Sequence, residues 1–501
     1  MEQREQWGSR AGFILAAVGS AIGLGNIWRY PYIAYENGGG AFLIPYLFAL
    51  LTAGIPILIL EYAVGQKMRG SAPLSFRRLR ERWEWLGWWQ VGISFFILTY
   101  YTVIVGWALS YTYFSIGQQW GNKPEEFLFG SYLGLTETGG NIWNLVGIKW
   151  GVFLPVAIIW AITFFILFRG IRRGIEVTTK ILMPILVIVM IVITIRAVTL
   201  PGAAEGLNTL LQPDWKAMAN PKVWVSAYGQ IFFSLSIAFA IMITYASYLP
   251  KKSDLANNGF IAAFANSGFE FLAAFAVFGA LGFLAQVQGV PVKEVAKAGI
   301  GLAFAVFPEI INQMPAWNDL FGVLFFGALT VAGLTSSISI AEVSITAIRE
   351  KFNLTRTQAV SWVCGAGFFV SLLYTTYAGM GYLDIVDNFI NNYSIVLAGL
   401  VEVVLLGWFF KLSTLRTHIN GLSDIKIGTW WDVCLKVITP LVLITMSVLN
   451  VYNEVFVKYY GADDYTFSQV LVVGWGAALA ALVIGFVFRA LQWKGEEGLS
   501  Q

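Results

Sequence analysis

Apolar residues fall in long blocks, each about the length a helix needs to cross a bilayer, roughly 20 residues. Twelve such blocks run over residues 9–34, 41–66, 88–117, 150–169, 174–198, 222–247, 256–286, 318–350, 357–377, 382–411, 430–452 and 468–490. None alternates over about ten residues as a barrel strand does. The pattern predicts an all-α integral membrane protein of twelve transmembrane helices.

Two blocks are interrupted by residues that an unbroken lipid-facing helix would not hold. The first reads Gly19-Ser20-Ala21-Ile22-Gly23-Leu24-Gly25-Asn26-Ile27-Trp28-Arg29-Tyr30-Pro31. A helix-interior glycine costs about 1 kcal/mol relative to alanine, and an intramembrane arginine about 2.5–3.5 kcal/mol on insertion scales. A small-residue packing seam accounts for the glycines but not for Asn26 and Arg29. The sixth block carries Gln230, Ser234 and Ser236 inside an apolar run. Serines bonding back to their own helix are the plain alternative there. The positions matter more: blocks one and six each open a set of five. Broken helices at corresponding places in two halves point to a secondary-transporter site, where freed carbonyls hold a cation and half-helix N-termini face an anionic group. Other polar residues fall inside the blocks too: Asn266 and Glu270 on one helix face, Thr335, Ser336 and Ser337, then Asp384 and Asp387. Glu61 reads as a helix-to-helix hydrogen bond.

Composition agrees. Hydrophobic residues make up 57% and charged residues only 12% of the 501-residue chain, half the charged share of soluble domains, about 25%. A net charge of +3 argues against a nucleic-acid partner. The two cysteines, Cys364 and Cys434, lie in or beside apolar runs, and the one histidine, His418, lies in a connector. That leaves almost no material for a disulfide framework, a metal cluster or histidine catalysis. With twelve spans, 23 of the 32 Lys and Arg residues fall on one side, 8 on the other, and Arg29 within a span. The positive-inside rule then makes the basic side cytoplasmic, with both termini inside. Charges of both signs over Met1 to Arg10 do not suit a cleaved signal peptide. The outer connectors 200–221 and 288–317 are long enough to act as lids.

Four segments carry a resemblance: Gly23 to Pro31, Glu36-Asn37-Gly38-Gly39-Gly40-Ala41-Phe42 with Pro45-Tyr46, Gln230 to Ser236, and Ala332-Gly333-Leu334-Thr335-Ser336-Ser337. In order and across nearly the whole chain they resemble the neurotransmitter:sodium symporter family, most of all its bacterial amino-acid-transporting branch. The resemblance implies two inverted five-helix repeats, 1–200 (spans one to five) and 201–415 (spans six to ten), with the first and sixth helices unwound. Two accessory spans follow in 416–501. It also implies two sodium sites. One would use Ala21, Asn26, Ser234 and Asn266 together with the substrate carboxylate. The other would use the carbonyls of Gly19, Ile22 and Ala332 with the hydroxyls of Thr335 and Ser336. Hard cations of this kind favour oxygen ligands.

Amine-transporting relatives carry Asp where this chain has Gly23, so the resemblance implies an α-amino acid whose own carboxylate takes that space. Gly25 and Tyr101 would hold the carboxylate; Ala21, Phe233 and Ser236 would hold the ammonium. Ile97, Ile104, Ala238, Phe239, Ser337 and Ile340 would complete an uncharged side-chain pocket with Phe233 and Ser236. Tyr46 and Gln230, with Ser234 and Asn266, match the family's chloride surroundings, but Glu270 stands where chloride-dependent members have Ser. A fixed carboxylate in place of the anion implies chloride independence. Arg29 with Asp387, above Tyr101 and Phe239, would close the outer path. Arg4 with Glu350, plus Trp7 and Tyr248, would close the inner one. Gly174 and Pro184 would mark a stretch of span five that unwinds, with a plain kink as the alternative.

The expected function is sodium-coupled symport of neutral, hydrophobic or aromatic L-amino acids by alternating access in the cell inner membrane. The alternative is a sodium- or proton-coupled carrier of another small zwitterion. No nucleophile–base set or cofactor motif supports an enzyme, and no oligomeric state is implied. A channel would need a continuous pore rather than an occluded cavity.

Overall fold

The computed structural model describes residues 5–139, 141–297 and 299–494. Among them the regular structure is helical, and the only β pairing is an isolated bridge between Ile148 and Thr376. The helical segments that matter here are α1 (Arg10–Ala21), α2 (Leu24–Glu36), α3 (Gly39–Met68), α4 (Glu81–Phe114), α5 (Trp150–Phe168), α6 (Ile171–Val198), α7 (Pro221–Ser234), α8 (Ile241–Ser247), α9 (Leu255–Gln288), α10 (Asn318–Phe352), α11 (Arg356–Tyr374), α12 (Gly379–Phe409), α13 (Thr429–Val457) and α14 (Phe467–Ala490). Ten of these are individually long and apolar enough to cross a membrane; α1 and α2, bent by 55° at their junction, together make an eleventh. The pieces α7 and α8 are each too short to span alone.

Local chemistry sets the ends. Ser9 caps α1 by accepting from the Gly12 N–H at 3.0 Å. Asp254 caps α9 through the Asn257 N–H at 3.0 Å, and Thr355 with Gln358 forms a reciprocal cap on α11, as short polar side chains do where the first N–H groups lack partners. The longest helices, α4, α9 and α10, are mostly buried, whereas α5, α6, α11, α13 and α14 expose most of their apolar surface outward. That outward face is the one lipid would solvate, because nothing polar covers it.

The outer connectors divide in their behaviour. In 200–221, the helix Ala203–Leu211 lies against α9, where a Cβ on Gly206 would sit 1.8 Å from the Phe278 carbonyl oxygen; only glycine allows that approach. This connector does not line the central cavity. Connector 288–317 does line it, through Gly299, Ile300 and Gly301. Phe304 anchors it against Trp28, Trp107 and Tyr111 at ring distances of 6.1, 6.1 and 5.0 Å. In α6, a wide helical turn over Ile171–Glu176 includes Gly174, and Pro184 lies inside the continuous helix beyond it.

Candidate functional site

The two helix breaks face one another. After Ala21 the chain passes through Ile22 (φ −74°, ψ 99°) and Gly23 (φ −123°, ψ −168°) before α2 begins. Between α7 and α8, Ser236, Ala238 and Ala240 take φ of +54°, +64° and +62°. Left-handed backbone at a non-glycine residue costs of order 1–3 kcal/mol each and persists only where the surroundings impose it. Those surroundings are polar side chains from neighbouring helices. Ala238 donates its N–H to Glu61 Oε1 at 2.8 Å, Ser94 Oγ donates to the Phe239 carbonyl at 2.6 Å, and Ser236 Oγ donates to the Ser20 carbonyl at 3.2 Å, joining one break to the other. Glu61 therefore ties α3 to the unwound stretch between α7 and α8 rather than bonding helix to helix as its sequence position suggested.

Three oxygen-rich clusters surround the breaks. In the first, Asn26 Nδ2 donates to Asn266 Oδ1 at 2.8 Å and to Ser234 Oγ at 3.3 Å, and Asn266 Nδ2 donates to Ser234 Oγ at 2.6 Å. The Gly23 N–H donates to Asn26 Oδ1 at 2.9 Å. In the second, Ser336 Oγ lies 3.5 Å from the Gly19 carbonyl oxygen and 3.3 Å from that of Ile22, and Thr335 Oγ1 lies 2.9 Å from that of Ala332. All donors here are neutral oxygens, the ligand type a hard monovalent cation takes. In the third, the fully buried Glu270 accepts from Tyr46 Oη through Oε2, and from Gln230 Nε2 and Ser234 Oγ through Oε1, both at 2.7 Å. Ser234 thus belongs to the first and third clusters at once.

The first two clusters border a cavity of about 600 Å³ through Asn26, Ser234 and Ser336, and the third meets it only through the shared Ser234. Ala21, Gly23, Gly25, Ile97, Tyr101, Ile104, Phe233, Ser236, Phe239 and Ile340 all line it. A Cβ on Gly23 would stand 2.8 Å from Tyr101 Oη and 3.2 Å from Ser336 Oγ, so a larger residue would fill this corner. Two expected lining residues do not reach the cavity. Ala238, turned by its left-handed backbone, brings its Cβ toward Gly399 of α12. Ser337 faces its own helix and donates to the Gly333 carbonyl at 2.9 Å.

The cavity extends to Arg29, Glu36, Asp384, Asp387 and Tyr460 at one end. The expected closure of Arg29 on Asp387 is not formed: no ion pair joins them. Arg29 instead stacks its guanidinium 4.5 Å from the Phe233 ring centroid, and Asp387 accepts from Asn391 Nδ2 at 2.7 Å. A planar, weakly hydrated guanidinium over an aromatic face is favourable without a carboxylate. Tyr101 and Phe239 both face the cavity here but make no ring contact with each other.

The other end is closed. Trp7 is buried and donates Nε1 to the Tyr245 carbonyl at 2.8 Å and its backbone N–H to the Tyr248 carbonyl at 3.2 Å. Tyr248 Oη donates to Glu342 Oε1 at 2.8 Å. Arg4 lies outside the described residues, and Glu350 Oε2 accepts from the Ser71 N–H at 2.8 Å. The described ion pairs centre elsewhere: Arg356 grips Glu342 through both terminal nitrogens, at 2.7 and 3.1 Å, and Glu5 lies 3.2 Å from Arg349 and 3.5 Å from Arg356. Sequence reasoning passed over Glu342, although a carboxyl inside the apolar run of α10 was a signal of a buried partner. Tyr460 had no such signal; its place depends on how the α13–α14 connector folds back, with Tyr460 and Tyr465 both donating to Asp384, at 2.8 and 3.0 Å.

Oxygen-bearing groups gathered at facing breaks of membrane helices, beside a cavity whose inner part is lined by uncharged residues, are the architecture of a secondary carrier. The profile of the Sodium:neurotransmitter symporter family matches residues 4–126 and 118–495. The chain is 43% identical to an uncharacterised sodium-dependent transporter of Methanocaldococcus jannaschii over 93% of this chain and 94% of that one. It is 29% identical to a sodium-dependent dopamine transporter of Caenorhabditis elegans (97% and 84% covered) and 28% identical to a human sodium- and chloride-dependent taurine transporter (98% and 86%). The chain belongs to the sodium:neurotransmitter symporter family. It is a sodium-dependent, multi-pass membrane transporter and not an enzyme.

Proposed function

We propose that this protein is a chloride-independent symporter of neutral, hydrophobic or aromatic L-amino acids, coupled to sodium at two sites and working by alternating access. The observation that carries the reading is the space at Gly23. It adjoins Tyr101 Oη, the Asn26–Ser234–Asn266 cluster and the start of α2, whose N–H groups and dipole favour a carboxylate. A substrate carboxylate there would complete the first sodium shell, so that ion and solute each raise the other's affinity by one shared factor. The ammonium would meet the freed carbonyls near Ala21, Phe233 and Ser236. The side chain would point among Ile97, Ile104, Phe239 and Ile340, none of which is charged. The second sodium would sit among Gly19, Ile22, Ala332, Thr335 and Ser336.

Glu270 supports chloride independence, because its carboxylate already occupies the donors of Tyr46, Gln230 and Ser234. Pairing α1–α2 with α7–α8 as two broken spans gives twelve crossings in all. The halves 1–200 and 201–415 are then inverted repeats followed by two accessory spans, with both termini on the basic, cytoplasmic side of the plasma membrane. Arg29 and Asp387 would meet when the outer path closes over bound substrate. Relatives named for taurine and GABA favour, as a second reading, a zwitterion whose acid group and amine are further apart than in an α-amino acid. Competition among the twenty amino acids, taurine and GABA for sodium-dependent uptake into proteoliposomes decides between them. Equal uptake with choline replacing sodium would overturn both.

A further inference from the structure

A second buried carboxylate group lies behind the α7–α8 break, apart from Glu270. Glu402 of α12 and Gln90 of α4 are buried at 1% and 0% exposure. Gln90 Nε2 donates to Glu402 Oε2 at 2.6 Å, which sets amide and carboxyl side by side. The other atom of each group, Glu402 Oε1 and Gln90 Oε1, is buried with no hydrogen-bond partner. As an ionised carboxylate and an amide oxygen both would be acceptors, and neither could satisfy the other. Glu61 of α3 feels the charge of Glu402. Its Oε1 takes the Ala238 N–H, while its Oε2, like the neighbouring Tyr62 hydroxyl, has no partner. No Lys, Arg or His among the described residues pairs with Glu61 or Glu402. On α13, packed against α12, the titratable groups of the nearby turn are buried Cys434 and exposed Lys436. Two adjacent carboxylates in an apolar interior without a cation are far too costly, and such a group takes up a proton instead.

We propose that Glu402 is a proton-binding site, holding a proton on Oε1 and donating it to Gln90 Oε1, while Glu61 stays ionised on the Ala238 N–H. One proton then closes an acid–amide ring of two hydrogen bonds, satisfies both orphaned oxygens and removes one of two neighbouring charges. The site also touches the substrate-lining backbone. Gln90 and Ser94 lie one turn apart on α4, and Ser94 holds the Phe239 carbonyl. Glu61 holds the N–H of Ala238. Loss of the Glu402 proton would set a second charge against Glu61 and loosen its hold on that left-handed stretch.

Infrared spectra of the purified full chain in liposomes test this, because they read the carboxylic-acid C=O stretch whatever solute is carried. Glu402→Gln is expected to remove an acid band that Glu270→Gln leaves in place. It is also expected to keep sodium-dependent uptake, since the new amide puts an N–H where the acid O–H was. A Glu402→Gln spectrum with every acid band of the wild type overturns the proposal. Should that variant not fold, Gln90→Leu removes the whole amide, its donor to Glu402 Oε2 and its acceptor for the acid O–H together, and is expected to shift the same band to the position of an unbonded acid; an unshifted band overturns it equally.

Discussion

Replacing Glu270 by serine should convert this transporter to chloride dependence. The substitution deletes a fully buried carboxylate and strands three donors, the hydroxyls of Tyr46 and Ser234 and the Gln230 amide. A buried donor left unpaired costs about 1–3 kcal/mol, so the empty variant loses about 3–9 kcal/mol relative to wild type. A chloride ion entering among those donors restores acceptors and a negative charge beside the Asn26–Ser234–Asn266 cluster. At 100 times its dissociation constant, such a ligand returns about 2.7 kcal/mol. The assay is thermal unfolding and amino-acid uptake of wild type and Glu270→Ser in sodium chloride and in sodium gluconate. Wild type should be indifferent to the anion. Glu270→Ser should unfold at lower temperature in gluconate and recover part of the loss, with its uptake, in chloride. A variant that behaves alike in both salts, or a wild type that transports only with chloride, refutes the reasoning.

Gly23→Ala should weaken sodium-dependent substrate binding while leaving the protein folded, because its Cβ would stand 2.8 Å from Tyr101 Oη at the proposed carboxylate corner; unchanged displacement of labelled amino acid would count against that corner. Thr335→Val keeps the side-chain shape but removes a hydroxyl 2.9 Å from the Ala332 carbonyl, and should raise the sodium concentration giving half-maximal uptake with little change in melting temperature. Arg356→Ala leaves Glu342 buried without its two-pronged partner, a loss of about 3–5 kcal/mol. Its melting temperature should fall and partly recover in the Arg356→Ala/Glu342→Gln double variant; a single variant as stable as wild type would show that Glu342 finds its charge balance elsewhere.

The sequence alone determined the long apolar runs, the two interruptions, and which residues sit within a turn of them. Spacing along a helix fixes which side chains share a face, so the sequence pairs Asn266 with Glu270; that Asn26 and Ser234 join them followed only from the resemblance to the symporter family. The tertiary structure decided what depends on partners hundreds of residues away or on the sign of a backbone angle. Ala238 packs its Cβ toward Gly399 of α12 instead of the cavity. Arg29 lies on Phe233 rather than beside Asp387, since two competing partners are both within reach of a long side chain. Tyr460 enters the cavity, Arg356 finds Glu342, and Glu402 meets Gln90 312 positions away only once the helices have packed. A buried polar group announces in the sequence that it needs a partner, because burial without one is costly; which partner it meets is settled by the packing.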